Sequence, residues 1–467
     1  MKTLAICPGC GRSNDLDRLF CPHCRSSLSR GRAVAEEEAD QIESDRIETL
    51  SKARKRNRFL KLAFLSAVLI AIVLIIWSPG NQTKEPTTDL SAKPSGYSWN
   101  MYQGGPSLSG SRDVNQLTIT TDEAEIAWTY QAEGAISSSP AVTEESVYVS
   151  TDDRRIVALD RGTGLLLWEY PAEAPTDSSP AVAGDLLYVA LREGKFVALD
   201  RFTGAEIWHF QSEEPFFSSP TIHNGIAYIG SGDKNFYAFD AITGDQIWIY
   251  NAGSRIVNAG VVNEKVVAFT TQDNVVHILD ALSGDLRLDY PIGSSYSAPA
   301  MDGKLLFVTD LDGMVRAIDW TKIQYPMEKT ARRFRMTMFL WGFEDTPPVM
   351  KGFVWKRRTK EVFQNTPTVG NGMIYVPSLD GSVYKLSAST GKPQWVYETE
   401  GTISESVSVI GNTMLLGDST GKVHGVDIES GEKVWGIQLD GHVSSTPVVS
   451  GDTLFVATQN GSIYAVK

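Results

Sequence analysis

From Ile136 to Lys467 apolar and polar positions alternate in short runs such as Ser146-Val-Tyr-Val-Ser150 and Ile156-Val-Ala-Leu159. A two-residue period of this kind predicts half-buried strands. The runs are separated by the turn signals Asp152-Asp153, Gly232-Asp233, Asp312-Gly313, Asp380-Gly381 and Asn460-Gly461. Each group then passes through Asp-x-x-Thr/Ser-Gly into a strand carrying Trp, as in Asp160…Gly164…Trp168, Asp200…Gly204…Trp208 and Asp240…Gly244…Trp248. The phase runs through Pro140, Pro180, Pro220, Gly260, Pro299, Pro367, Val407 and Pro447, at intervals of 40, 40, 40, 39, 68, 40 and 40 residues. A unit of this length cannot bury its own apolar face and must stack on its neighbours. Eight radial units of four strands predict an all-β, eight-bladed β-propeller.

Within each unit the glycine supplies a positive φ and the Asp caps the turn. The Trp is expected to fill the gap between adjacent sheets. Glu125-Ile-Ala-Trp128-Thr-Tyr130 precedes the first unit, and the last unit lacks its Trp strand. The early strand is therefore expected to complete the last blade, removing an exposed sheet edge. Three copies depart from the pattern: Leu288 stands in place of Trp, Ser387 in place of Asp, and Val407 in place of Pro.

The phrase Ala-Leu-Asp-x-x-Thr-Gly-x-x-x-Trp, complete at 158–168, resembles the PQQ-like (quinoprotein-type) propeller repeat. The leader Trp99-Asn-Met-Tyr-Gln-Gly-Gly-Pro106…Gly110 is similar to the opening segment of that superfamily. The resemblance covers 97–467 and implies fold more than activity, because the superfamily includes dehydrogenases, assembly scaffolds and sensor ectodomains. The propeller also resembles that of the outer-membrane barrel-assembly lipoprotein family, although no lipid-anchor cysteine follows the apolar run described below. In the dehydrogenases the resemblance implies a vicinal cysteine pair against the quinone and Ca²⁺ held by acidic and amide groups. All four cysteines here precede residue 25, and the long loops that cover the quinone are missing. PQQ is therefore not expected, nor is an enzyme; the six histidines are scattered singly. The alternatives carried forward are a membrane-bound quinoprotein oxidoreductase and a single-pass sensor.

Charge is segregated along the chain. Residues 1–78 hold 13 Lys/Arg and 9 Asp/Glu, 321–363 hold 10 and 4, and the remainder holds 20 and 43, a net charge of -23. So acidic a body argues against nucleic acid. In the head, 1–28, Cys7-Pro-Gly-Cys10 and Cys21-Pro-His-Cys24 form two knuckles suited to one tetrahedral, structural Zn²⁺ in a zinc-ribbon. A redox or disulfide role is the alternative. A charged linker, 29–58, reads as a solvated helix or stalk. The 19-residue apolar run 59–77 is long enough to span a bilayer, and the basic residues crowding its N-terminal flank orient it. The head is then cytoplasmic and the propeller extracytoplasmic, as in a single-pass plasma-membrane protein, with 78–96 an extended tether.

Propellers without catalytic groups bind at the mouth of the central channel. The residues expected there are Asp177, Phe217, Arg255, Asn258, Tyr296, Asn365, Glu405 and His442, forming either a site for a protein, peptide or glycan, or a solvated rim. The insertion 321–363 combines Arg332, Arg333 and Arg335 with Trp341 and other aromatics. It reads as a projecting hairpin that meets an acidic partner or anionic lipid, or as a flap packed over the acidic propeller. Trp355 is a candidate for the Trp of its blade.

Overall fold

A computed structural model describes residues 3–52, Lys61, Ser66, 99–112, 124–359 and 361–467. The expected span and tether lie outside the described residues apart from Lys61 and Ser66. Among the described residues no helix is long and apolar enough to cross a membrane. The chain divides into two compact units, 1–82 and 83–467.

In the first unit, β1 (Thr3–Ile6) pairs antiparallel with both β2 (Ser13–Asp15) and β3 (Arg32–Ala35). Residues 36–52 follow as helix α1. The linker expected from residue 29 therefore begins with a ribbon strand, which corrects the boundary at 28. The reason is pairing: β1 would otherwise expose an edge, and β3 covers it while burying Val34. The helix also bonds back to the ribbon. Ser13 Oγ donates to Glu43 at 2.9 Å, and Arg46 Nη1 donates to the Cys10 carbonyl at 3.1 Å.

Among the described residues the second unit holds eight antiparallel blades of four strands, one of them extended by a fifth strand. Blade 1 comprises Ala141–Val142, Ser146–Thr151, Arg155–Asp160 and Leu166–Pro171, innermost strand first. Blades 2 to 7 repeat that order. Blade 8 takes its outer strand, Ile126–Gln131, from ahead of blade 1, pairing it with Ser462–Val466. The N–H groups of Glu125 and Lys467 each donate to the other's carbonyl, at 2.9 and 3.0 Å, so the ring closes as the pattern required.

The recurrent residues do identifiable work. Asp160 Oδ1 accepts from the N–H groups of Gly162 and Thr163 and from the Thr163 hydroxyl, and Asp200 caps its own turn in the same way. In the divergent sixth copy Ser387 bonds Ser389 and Thr390 instead. Four of these Trp residues donate the indole N–H to a carbonyl 33 residues ahead, in the next blade: Trp168 to Arg201, Trp208 to Ala241, Trp248 to Ala281, Trp355 to Ala388. Trp355 is thus the Trp of blade 5. The glycine sits under that plate, and a Cβ on Gly204 (φ 73°) would lie 2.7 Å from the Trp168 ring. Most of these Trp residues are also paired across the sheet with a small residue, Ala158 with Trp168, Ala198 with Trp208, Ala238 with Trp248 and Ala317 with Trp355, whereas Trp395 is paired with Lys385. Blade 4 replaces the Ala–Trp pair by Ile278 and Leu288, an exchange that approximately conserves volume.

The leader does more than its resemblance implied. It runs inside the ring and adds a bond to one innermost strand after another. The carbonyls of Trp99, Asn100, Pro106, Ser107, Ser109 and Gly110 accept the N–H groups of Val142, Val182, Val262, Met301, Val369 and Val409, in blades 1, 2, 4, 5, 6 and 7. The Arg112 guanidinium then lies 5.1 Å over the Trp99 ring, so the segment curls nearly into a circle. Ser111–Arg112 is the fifth strand, parallel to the inner strand of blade 7.

Candidate functional site

Four Sγ atoms converge in the ribbon, those of Cys7, Cys10, Cys21 and Cys24, all within 4.8 Å of one another. Their knuckles match. The Cys7 N–H bonds the Arg12 carbonyl and that of Cys21 bonds Ser26, while Gly11 and Arg25 occupy equivalent left-handed positions at φ 68° and 60°. The Cys24 thiol is held down to about 6, first by the Ser26 hydroxyl and backbone. A hydrogen bond from Arg12 favours the Cys10 thiolate, but burial and the neighbouring sulfurs override it and push that thiol up to about 12. Four sulfurs this close cannot all ionise alone, and a bound cation resolves the conflict. The four thiols could hold a metal ion, and their arrangement fits a zinc-ribbon-like site. His23 is exposed and bonds Arg12 at 2.7 Å, outside the sulfur set.

At the channel mouth the blades enclose a cavity of ~370 Å³. Asp177, Phe217, Asn258, Tyr296, Asn365 and Glu405 line it together, six of the eight residues expected there. Arg255 and His442 are not in the lining. Arg255 stands at the exposed edge 3.8 Å from Glu214, and His442 Nε2 meets Ser404 Oγ at 3.0 Å. Arg192 pairs with Asp177 and lies 5.9 Å from the Phe217 ring centroid.

The same cavity is lined by residues that pattern reading assigned to architecture or left aside: Tyr102, Ser139, Ser179, Ser219 and Thr366. The serines belong to the recurrent Ser-Ser-Pro phrase and link the blades around the channel. Ser139 N–H donates to Ser179 Oγ at 3.0 Å, Ser179 N–H to Ser219 Oγ at 2.9 Å, and Thr446 N–H to Ser139 Oγ at 3.1 Å. The recurrence of the phrase was the signal for this ring; no pattern placed Tyr102. That residue comes from the leader, and its hydroxyl donates to Thr366 Oγ1 at 3.1 Å and meets Ser406 Oγ at 3.4 Å. Glu405 faces these neutral groups with no Lys or Arg in the lining, and burial pushes its carboxyl up to about 8. The mouth is therefore a polar pocket with an aromatic edge and one carboxylate poised between charge states near neutral pH.

The insertion is an α-helix, α2 (Glu328–Leu340), rather than the expected hairpin. No Gly or Pro interrupts 328–341, and Lys, Ala, Arg, Met and Leu dominate it, a composition that favours helix. Its base is fixed to blade 4. Lys329 Nζ donates to Asp289 at 2.6 Å and the Gln324 N–H to the Arg287 carbonyl at 2.7 Å. Burial raises the Asp289 carboxyl, but His277 and Lys329 more than offset this and hold it below the ordinary range. Arg335 bonds Glu344 twice at 3.0 Å, whereas Trp341 is exposed. Among the described residues Arg332 and Arg333 have no acidic partner within 4.0 Å. A groove of ~660 Å³ separates the helix from blade 4, with Arg332, Arg333, Asp273, His277 and Asp289 in its lining.

Fold, leader and repeat together define a PQQ-like repeat propeller. The family model described as outer membrane protein assembly factor BamB matches residues 76–179, 171–295 and 351–467, most of the chain, and the chain belongs to that family. Among solved structures it is similar to BamB from Moraxella catarrhalis, at 15% identity and a TM-score of 0.58, covering 74% of this chain and 97% of that one. It is also similar to the quinohemoprotein alcohol dehydrogenase from Comamonas testosteroni, at 14% identity and a TM-score of 0.64, covering 79% and 80%. The computationally designed Ika8 protein is similar at 13% identity and a TM-score of 0.58, covering 75% and 99%. These likenesses show the fold alone. No curated protein matches the chain.

Proposed function

We propose that this protein is a membrane-anchored, non-catalytic scaffold whose extracytoplasmic propeller engages a segment of a partner protein at the channel mouth. The observation that carries the reading is the ~370 Å³ cavity, which gathers hydrogen-bonding side chains, the aromatic edge of Phe217 and Tyr296, and Glu405. Such a lining suits an extended peptide that brings a Lys or Arg side chain to the carboxylate. The family's description as an assembly factor supports a binding role. The anchor is the apolar run 59–77, and its basic flank places the ribbon in the cytoplasm, with Zn²⁺ as the metal of its four thiolates.

The dehydrogenase-like fold of one structural relative makes quinone chemistry the competing reading. The lining does not suit PQQ. That cofactor is a tricarboxylate, and the only charged side chains lining the cavity are the acids Asp177 and Glu405. Calcium would find carboxylate and amide oxygens there, but no Lys or Arg of the lining would meet the carboxylates of the quinone.

Photocrosslinkers placed at Phe217 and Tyr296 in native membranes test the proposal. Discrete protein adducts that disappear with Glu405→Arg are expected, whereas adducts insensitive to that change, or glycan adducts alone, would overturn it. PQQ-dependent dye reduction with Ca²⁺ would do so as well. For the ribbon, chelation is expected to unfold residues 3–52 while leaving propeller melting unchanged, because structural zinc contributes about 10 kcal/mol or more to such a fold.

A further inference from the structure

The insertion helix is left unexplained by a channel-mouth function. None of its residues is buried, yet its attachments to blade 4 through Lys329 and Gln324 give it a defined orientation. Glu328, Arg332, Met336 and Phe339 are half-buried and share the face turned to the protein, while Phe334, Thr337 and Trp341 lie on the opposite face. Phe334, Leu340, Trp341 and Phe343 are 64%, 73%, 70% and 71% exposed. Four large apolar side chains this exposed within ten residues mark a contact surface.

The charge around them narrows the partner. Arg333 is exposed, and so are Lys356, Arg357 and Arg358 on the outer strand of the same blade. Among the described residues none of these four forms an ion pair within 4.0 Å. The insertion, with 10 basic and 4 acidic residues, is cationic on a body of opposite sign. The surface is also an outward helix face with its apolar side chains raised. The concave groove between the helix and blade 4 is mixed in charge, with Asp273, Asp289 and Glu328 beside Arg332 and Arg333. A raised, aromatic and cationic face fits a planar, deformable, anionic surface better than a folded protein, which would need pockets to receive the rings.

We propose that this patch is a peripheral docking surface for anionic lipid. Phe334, Leu340, Trp341 and Phe343 enter the headgroup layer, and the excess of basic over acidic residues in the insertion draws it to the lipid phosphates. The inference is independent of what the channel mouth binds.

The test is hydrogen exchange over 328–343 in the full chain, in vesicles of phosphatidylcholine alone and of phosphatidylcholine mixed with phosphatidylglycerol. Exchange is expected to slow about tenfold in the anionic vesicles, and the difference to shrink at high salt. R333E and the pair F334A/W341A should each remove most of the difference without changing the melting temperature. These side chains are exposed, so a purely structural role would instead lower protection equally in both vesicles. Equal exchange in the two vesicle types would overturn the proposal. So would protection by soluble polyglutamate that vesicles do not reproduce, which would point to an acidic protein instead.

Discussion

Blades 2 and 3 and blades 4 and 5 solve the same packing problem in two ways. In the first pair, Trp208 lies across from Ala198, covers Gly244 and donates to the Ala241 carbonyl of the next blade. In the second, Leu288 lies across from Ile278, and the turn it faces is opened by the insertion. A Cβ on Gly352, in the returning end of that insertion, would lie 2.9 Å from Leu288. Trp320, at the start of the insertion, is buried in the same core cluster as Leu288 and Tyr290, and Met350 packs against it. Two departures that look unrelated along the chain, a lost Trp and an inserted helix, are neighbours in space. The difference teaches that the repeat conserves filled volume between blades more strictly than it conserves the residue that fills it.

The contrast can be broken at its centre. Trp208→Ala should cost about 3–5 kcal/mol, because it removes a plate and leaves a cavity, although the Ala241 carbonyl keeps its bond from the Tyr188 hydroxyl. Thermal or urea unfolding measures this. The converse change sharpens the comparison: Leu288→Trp should destabilise by about 1–3 kcal/mol through overpacking. Adding Ile278→Ala should recover most of that loss, and strict additivity in the double-mutant cycle would reject the volume argument.

Smaller effects are expected at the turns. Asp200→Ala should cost about 1 kcal/mol, since it frees two N–H groups and a hydroxyl. Ser387→Asp in the divergent sixth copy should gain a few tenths of that order by restoring the cap. Lys329→Ala, whose partner Asp289 is mostly covered but whose own side chain is half-exposed, should cost only about 0.5 kcal/mol while speeding exchange in α2.

A pH titration separates the mouth from both blade pairs. Glu405 titrates near 8 in the folded protein against an ordinary 4.5, because burial disfavours its charge. The folded state therefore holds more protons than the unfolded chain between those values. Its contribution to stability is full below about 4.5 and falls as pH rises toward 8. Glu405→Gln should flatten the profile in that window, and an unchanged profile would show that the carboxylate is not desolvated.

Much of the molecule was legible because repetition multiplies weak local signals. Asp160, Gly164 and Trp168 carry roles that a single copy would not establish but that recurrence does. Ring closure by Glu125–Tyr130 followed from the missing outer strand of the last copy. The mouth was legible in part, since residues just ahead of each Pro phase must face the axis; Arg255 and His442 missed the cavity because side-chain direction decides lining. The helix in the insertion was missed because its aromatics were read as a hairpin, although its backbone preferences were helical.

The order of strands, the number of blades and the cysteine cluster were written in the sequence, because each depends on local periodicity and on pairing between neighbours. The curl of the leader beneath the mouth, the carboxylate of Glu405 set among neutral groups, and the meeting of Leu288 with the insertion were decided only by the closed ring. Ring closure brings together residues hundreds of positions apart, and no local pattern encodes the burial that then sets their charge and packing.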